Sequence, residues 1–123
     1  MVKKRFLDKL EKFYVKSTKL EVIHQSTNKE FVNLKKKKKL ITFVGKLNSA
    51  KGYDLFANSI KKILDKHKDW RALVVGDEAR EKISIDHKNL KVLGFLQHKD
   101  VLNIYKKTSI AVVCSRWEEP FGR

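Results

Sequence analysis

Cysteine occurs once in this 123-residue chain, at Cys114, so neither an internal disulfide framework nor a cysteine metal cluster can form. That fits a reducing, cytoplasmic setting. No apolar run approaches the roughly 18 residues that a membrane span requires. The basic start, Met1 to Arg5, continues into a charged amphipathic stretch, which argues against a signal peptide. The four histidines, His24, His67, His87 and His98, have no spacing that suits a shared metal. They read as structural or solvated, with His98 placed to cap a helix before Val101. Two glycine fingerprints are also missing: the G-x-x-x-x-G-K-[ST] phosphate loop and the G-x-G-x-x-G dinucleotide turn. Proline occurs once, at Pro120, in the closing stretch.

Acidic residues are outnumbered, 14 against 29 basic ones, which leaves a net charge of +15. Such a balance favours anionic partners: phosphates, nucleic acid or an acidic bilayer face. Lysine is spread over every segment, however, and no arginine-rich stretch with interleaved aromatics appears, so specific nucleic-acid binding is not expected. A small basic module on nucleic acid or an anionic membrane is the alternative class. Steep loss of oligonucleotide binding with salt, and indifference to nucleoside diphosphates, would mark it. The run Lys35 to Lys39 reads as a solvated linker or strand lead-in that can touch acidic lipid.

The apolar pattern supplies the fold. Phe6, Leu7, Leu10, Phe13 and Tyr14 fall at helical spacing and predict a helix over about 2–14. Residues 20–24 alternate like a short strand. From Leu40 the pattern changes, and Leu40 to Gly45 is apolar on both faces, as a central parallel strand requires. Leu55, Phe56, Ile60, Ile63 and Leu64 form a stripe that predicts a helix over about 54–67, with Asp54 as its cap. Strands are predicted over 70–76, 90–95 and 110–114, the last a buried one. A short helix is expected near Val101 to Tyr105, and another within the charged segment 77–89. Strand and helix thus alternate, and three strands close in Gly45, Gly76 and Gly94. This is an α/β chain with a Rossmann-like doubly wound parallel sheet, whose ligands sit at the carboxyl ends of the strands.

Two constellations lie at those ends. In Gly45-Lys46-Leu47-Asn48-Ser49-Ala50-Lys51-Gly52, two lysines flank a strand-to-helix loop and can converge on one diphosphate. The helix start adds free backbone amides and its dipole. The second is Ser115 to Arg123, where Glu119 can accept hydrogen bonds from sugar hydroxyls. Phe121 and Gly122 can offer backbone amides close to a ligand. Glu118 reads as the more expendable carboxylate, Trp117 as packing beneath the turn, and Cys114 as a core residue.

Phe43-Val44-Gly45-Lys46-Leu47 with Lys51-Gly52, then Val74 to Asp77, Leu93-Gly94-Phe95 and Ser115 to Gly122 resemble, in order and spacing, one known domain. It is the C-terminal donor-binding domain of the family 4 glycosyltransferases (glycosyl transferases group 1), enzymes of the two-domain GT-B architecture. The wording is similar to that of bacterial surface-polysaccharide and lipopolysaccharide transferases. The resemblance implies that residues 1–38 are the end of a preceding domain and a crossover linker. Residues 39–123 would be an incomplete nucleotide-sugar-binding domain.

The resemblance also implies site roles. Lys46, where the family usually has Arg, and Lys51 would bind the donor's diphosphate together with Gly45 and Gly52. Glu119 would be the catalytic glutamate facing the donor sugar, and Phe121 and Gly122 would lend that sugar their amides. Gly94 and Phe95 would lie near the nucleobase. The implied partners are a nucleotide-diphosphate sugar and a glycan or lipid-linked acceptor. The family needs no metal or other cofactor, and suggests transfer with retention of configuration. The acceptor domain and a second glutamate, four positions beyond Arg123, are missing, so the isolated chain is expected to be a catalytically inactive fragment with an exposed sheet edge. The expected setting is cytoplasmic, with peripheral contact at the inner face of the membrane.

Overall fold

Why these residues form these elements is clearest at the first strand. In a computed structural model, which describes residues 37–116, β1 spans Leu40–Val44 and is buried on both faces. It pairs in parallel with β2, Arg71–Val75, on one side and with β4, Ile110–Val112, on the other. β3, Leu90–Val92, adds parallel to the outside of β2. The order is therefore β3-β2-β1-β4. The chain winds outward from β1 to β3, then crosses back over to the other side of β1. That reversal makes a topological switch point between β1 and β4, the place where open α/β sheets receive ligands.

Helix α1, Tyr53–Lys66, connects β1 to β2, and α2, His98–Tyr105, connects β3 to β4. Because side chains alternate along a strand, Ile41 and Phe43 of β1 share a face with Ala72 and Val74 of β2. The α1 stripe Phe56, Ile60 and Leu64 covers that face, and Tyr53 closes its upper end. Phe43 sits 5.3 Å from Tyr53 and 5.2 Å from Phe56 between ring centroids, so three aromatic rings lie directly beneath the loop that follows β1. On the opposite face, Thr42 and Thr108 share a hydroxyl hydrogen bond of 2.8 Å, and the Thr108 hydroxyl also donates to the Ile104 carbonyl. Among the described residues, no fully buried side-chain nitrogen or oxygen lacks a partner.

The lysine run serves as the lead-in to β1. Lys38 N–H donates to the Lys107 carbonyl, Lys37 Nζ donates to the Tyr105 carbonyl, and Lys39 pairs with Asp69. These residues thus join the base of β1 to the end of α2 and the turn before β2.

Four expectations are corrected. The α1 cap is Gly52, not Asp54. Its φ of 72° is left-handed, and a Cβ there would lie 2.0 Å from the Cys114 carbonyl oxygen, so neither Asp nor any other side chain fits. The second helix begins at His98 itself, after Gln97, with no side-chain cap bond. Segment 77–89 holds no helix. It runs irregularly with Ile83 and Ile85 packed on the core and Ser84 exposed, a period of two rather than 3.6. The fourth strand is not buried: Ile110 is 45% and Val113 87% exposed. β4 has no strand on its outer side among the described residues, so an apolar run here marks an edge rather than a centre.

The helix expected over 2–14, the strand expected over 20–24 and the closing stretch from Trp117 all lie outside the described residues. Of the segment proposed for residues 1–38, only Lys37 and Lys38 are among the described residues. Among the described residues, no helix is long and apolar enough to cross a membrane.

Candidate functional site

The loop after β1 leaves the sheet beside the switch point, and neighbouring segments hold it from both sides. On the β2 side, Leu47 N–H donates to the Asp77 carbonyl, and Asn48 Nδ2 donates to Glu78 Oε2 at 2.9 Å. Glu81 accepts from both the Ser49 N–H, at 2.9 Å, and the Ser49 hydroxyl. On the β4 side, Cys114 Sγ donates to the Gly52 carbonyl at 3.0 Å. Arg116 N–H donates to the Ala50 carbonyl at 2.9 Å, and Arg116 Nη1 donates to the Ser49 carbonyl at 2.6 Å. The same guanidinium forks onto the Asp54 carboxylate, at 2.6 and 2.8 Å. Bidentate pairing of this kind fixes geometry as well as charge.

Asn48 organises the loop from within. It is buried, its Oδ1 accepts the Lys51 N–H at 3.0 Å, and its carbonyl accepts the Tyr53 N–H. Gly52 N–H goes to the Ser49 carbonyl. The amides of Lys51, Gly52 and Tyr53 are therefore taken internally, where free amides were expected. The reason is that Asn48 takes two of them, through its side chain and its carbonyl, and the Ser49 carbonyl takes the third. These three amides are thus closed to an anion, whereas Lys46 in the same loop is exposed.

Two carboxylates beside the loop are tuned by arginine. The Glu78 side chain is only 5% exposed. Hydrogen bonds from the Arg80 guanidinium and backbone, then from Asn48, pull its pKa down from 4.5 to about 2. The Arg116 fork likewise lowers the Asp54 pKa. Burial pushes the Cys114 thiol up, which makes it a packing residue and not a ready nucleophile. His87 is a structural residue too. Its side chain is almost fully covered, its Nδ1 accepts the Asn89 N–H, and its Nε2 lies 3.5 Å from Asp65.

The structure brings Gly45, Lys46, Lys51 and Gly52 into one loop at the carboxyl end of the central strand. Lys46 is exposed and Lys51 half-buried. Gly45, Gly76 and Gly94 form a line across the strand ends. A Cβ on Gly76 would meet the Gly45 carbonyl oxygen at 1.9 Å, and Gly76 N–H donates to the Gly94 carbonyl. Gly94 and Phe95 follow β3, two strands from β1 and on the side away from the switch point. Phe95 is 68% exposed. Glu119, Phe121 and Gly122 lie outside the described residues. Sequence reasoning missed Asn48, Glu78, Glu81 and the Arg116–Asp54 pair. Only Asn48 left a local signal, an Asx residue three positions before the Lys51 amide that it accepts. No group of three or more potential metal ligands occurs among the described residues.

Comparison with known proteins places this loop in a wider context. The family model described as Glycosyl transferases group 1 matches residues 24–123. Spore coat protein SA of Bacillus subtilis (strain 168) is 26% identical over 99 residues, an alignment that covers 70% of this chain and 26% of that protein. Putative glycosyltransferase YtcC of the same organism is also 26% identical over 99 residues, covering 70% of this chain and 24% of its own length. The chain thus spans about a quarter of the length of these curated relatives.

Proposed function

The chain belongs to the group 1 glycosyltransferases, and from that membership we propose that it supplies the donor-binding part of a nucleotide-sugar-dependent glycosyltransferase. In this reading Lys46 and Lys51 neutralise the diphosphate of the donor. The bond between the anomeric carbon and the phosphate oxygen breaks, and a bond from that carbon to an acceptor hydroxyl oxygen forms. The acceptor loses its proton, and the departing nucleoside diphosphate takes up the bonding pair. Cations placed where that charge develops stabilise the leaving group without a metal. Lysine keeps the charge of the family's usual arginine at position 46 but not its fork, so grip there is by point charge. Glu119, Phe121 and Gly122 are assigned to the donor sugar, with Glu119 as the catalytic glutamate, and Gly94 and Phe95 to the nucleobase side. A role in building cell-surface polysaccharide or lipopolysaccharide is proposed from the same resemblance, and peripheral contact with the inner face of the membrane from the net charge of +15.

The observation that carries the reading is the loop's position. A lysine-bearing loop leaves the central strand at the switch point and is tied by hydrogen bonds to the segment that leads into Glu119. Ligand-observed NMR with UDP, GDP and ADP tests it. At least one diphosphate should give saturation transfer, and Lys51→Ala should weaken it about tenfold, the scale of one charge-assisted contact. No signal from any of the three, at millimolar ligand, overturns the donor-site reading.

A further inference from the structure

We propose that Arg116 is a positioning residue that masks the charge of Asp54, so that the loop after β1 stays receptive to a diphosphate. The inference rests on the donor-site reading above and adds a role that neither the family pattern nor the lysines supply. Its starting point is a liability. The backbone amides of Lys51, Gly52 and Tyr53 already have internal acceptors, so the net charge around the loop carries more of any attraction for an anion. Asp54 places a carboxylate two residues beyond Gly52, in the first turn of α1. Unpaired, it would oppose the charge of Lys46 and Lys51.

Arg116 answers that liability with geometry specific to it. Both guanidinium branches reach the two Asp54 oxygens, at 2.6 and 2.8 Å. The same side chain also holds the Ser49 carbonyl, and its backbone N–H holds the Ala50 carbonyl. A lysine could offer the charge but not this fork. The pairing follows a pattern around the loop, since Glu78, on the other flank, is paired with Arg80. Glu81 is a third carboxylate near the loop, and it is met by the Ser49 N–H and hydroxyl. Arginines thus neutralise two of the three flanking carboxylates. Arg116 thus combines two roles at the loop, pairing the Asp54 carboxylate and holding the Ser49 and Ala50 carbonyls.

A charge-restoration experiment tests this, with pyrophosphate and UDP as probes and uridine as the uncharged control. Removing the positive charge with Arg116→Gln should weaken both anions about fivefold to tenfold, the effect of one uncompensated charge at short range. Uridine should be unaffected. Adding Asp54→Asn to Arg116→Gln should restore binding to within about twofold of wild type. Adding Asp65→Asn instead should not, because that residue is about 16 Å along α1 and beyond a Debye length. Arg116→Lys, which keeps the charge, guards against a fold defect in the glutamine variant and should bind anions far better than Arg116→Gln. Failure of Asp54→Asn to restore binding, or equal restoration by Asp65→Asn, overturns the masking role while leaving the donor site standing. No binding of pyrophosphate or UDP by the wild type overturns both.

Discussion

Two glycine-ended strands of the same sheet have had very different structures built on them. The turn after β1 closes at Gly52, and the turn after β3 passes through Gly94, with almost equal left-handed φ angles of 72° and 71°. Around Gly52 the chain is packed backbone to backbone, and a Cβ would meet the Cys114 carbonyl oxygen at 2.0 Å. Around Gly94 nothing lies within 4 Å of the same position. Equal dihedrals with unequal surroundings separate two reasons for glycine that a sequence cannot tell apart. One is conformational need, and the other is close approach.

Replacing each by alanine turns that comparison into a measurement, and it carries the largest effect expected here. Both variants bear the cost of a left-handed alanine, about 1–2 kcal/mol. Gly52→Ala must also push back the Cys114 carbonyl, which brings its total to about 3–5 kcal/mol. Urea denaturation of the two variants should therefore differ by about 2–3 kcal/mol. Equal losses would mean that the approach of the β4 exit to the loop is not part of the stable fold.

The same contrast explains what could be read in advance. The strands β1 and β2 were legible because a centre strand needs apolar residues on both faces, and Leu40 to Val44 has them. Helix α1 was legible because Phe56, Ile60 and Leu64 repeat at its period. Exposure of β4 was not, since Ile110-Ala111-Val112 carries the same letters whether or not a strand lies outside it. Segment 77–89 was misread because its charges hid the alternation of Ile83 and Ile85. The loop's lysines and glycines were visible as letters. The partners that shape the loop were not, because Asn48 meets Glu78 across 30 residues and Arg116 meets Asp54 across 62, and contacts at such separation leave no local pattern. Asp54 looked like a helix cap for the same reason: its true partner is far away in sequence.

A second, smaller effect sharpens the comparison on the β2 flank of the loop. Glu78 has its pKa held at about 2 in the folded chain, against an ordinary 4.5. The folded state therefore binds this proton less readily than the unfolded one. The resulting stabilisation is complete above about pH 4.5 and fades as pH falls towards 2. Glu78→Gln removes this titration and should flatten the acid limb of a stability profile between those values. A limb of unchanged steepness would show that the bonds from Arg80 and Asn48 do not hold Glu78 ionised in solution.

The smallest effect belongs to the open end of the sheet. Phe95 follows Gly94 and is 68% exposed, so Phe95→Ser removes little that folding has buried and should change stability by about 0.5 kcal/mol or less. Its value lies in what it does to a ligand. An aromatic ring left in solvent beside a strand end is a stacking platform, and one stacked base is worth about 1–3 kcal/mol. If Phe95 receives the nucleobase, the serine variant should lose UDP, GDP or ADP affinity at least fivefold while its affinity for pyrophosphate and its unfolding midpoint stay put. Parallel loss of nucleotide and pyrophosphate would instead place the ring's influence on the diphosphate loop. No loss of either would remove Phe95 from the proposed donor site and leave the loop after β1 as its better-supported part.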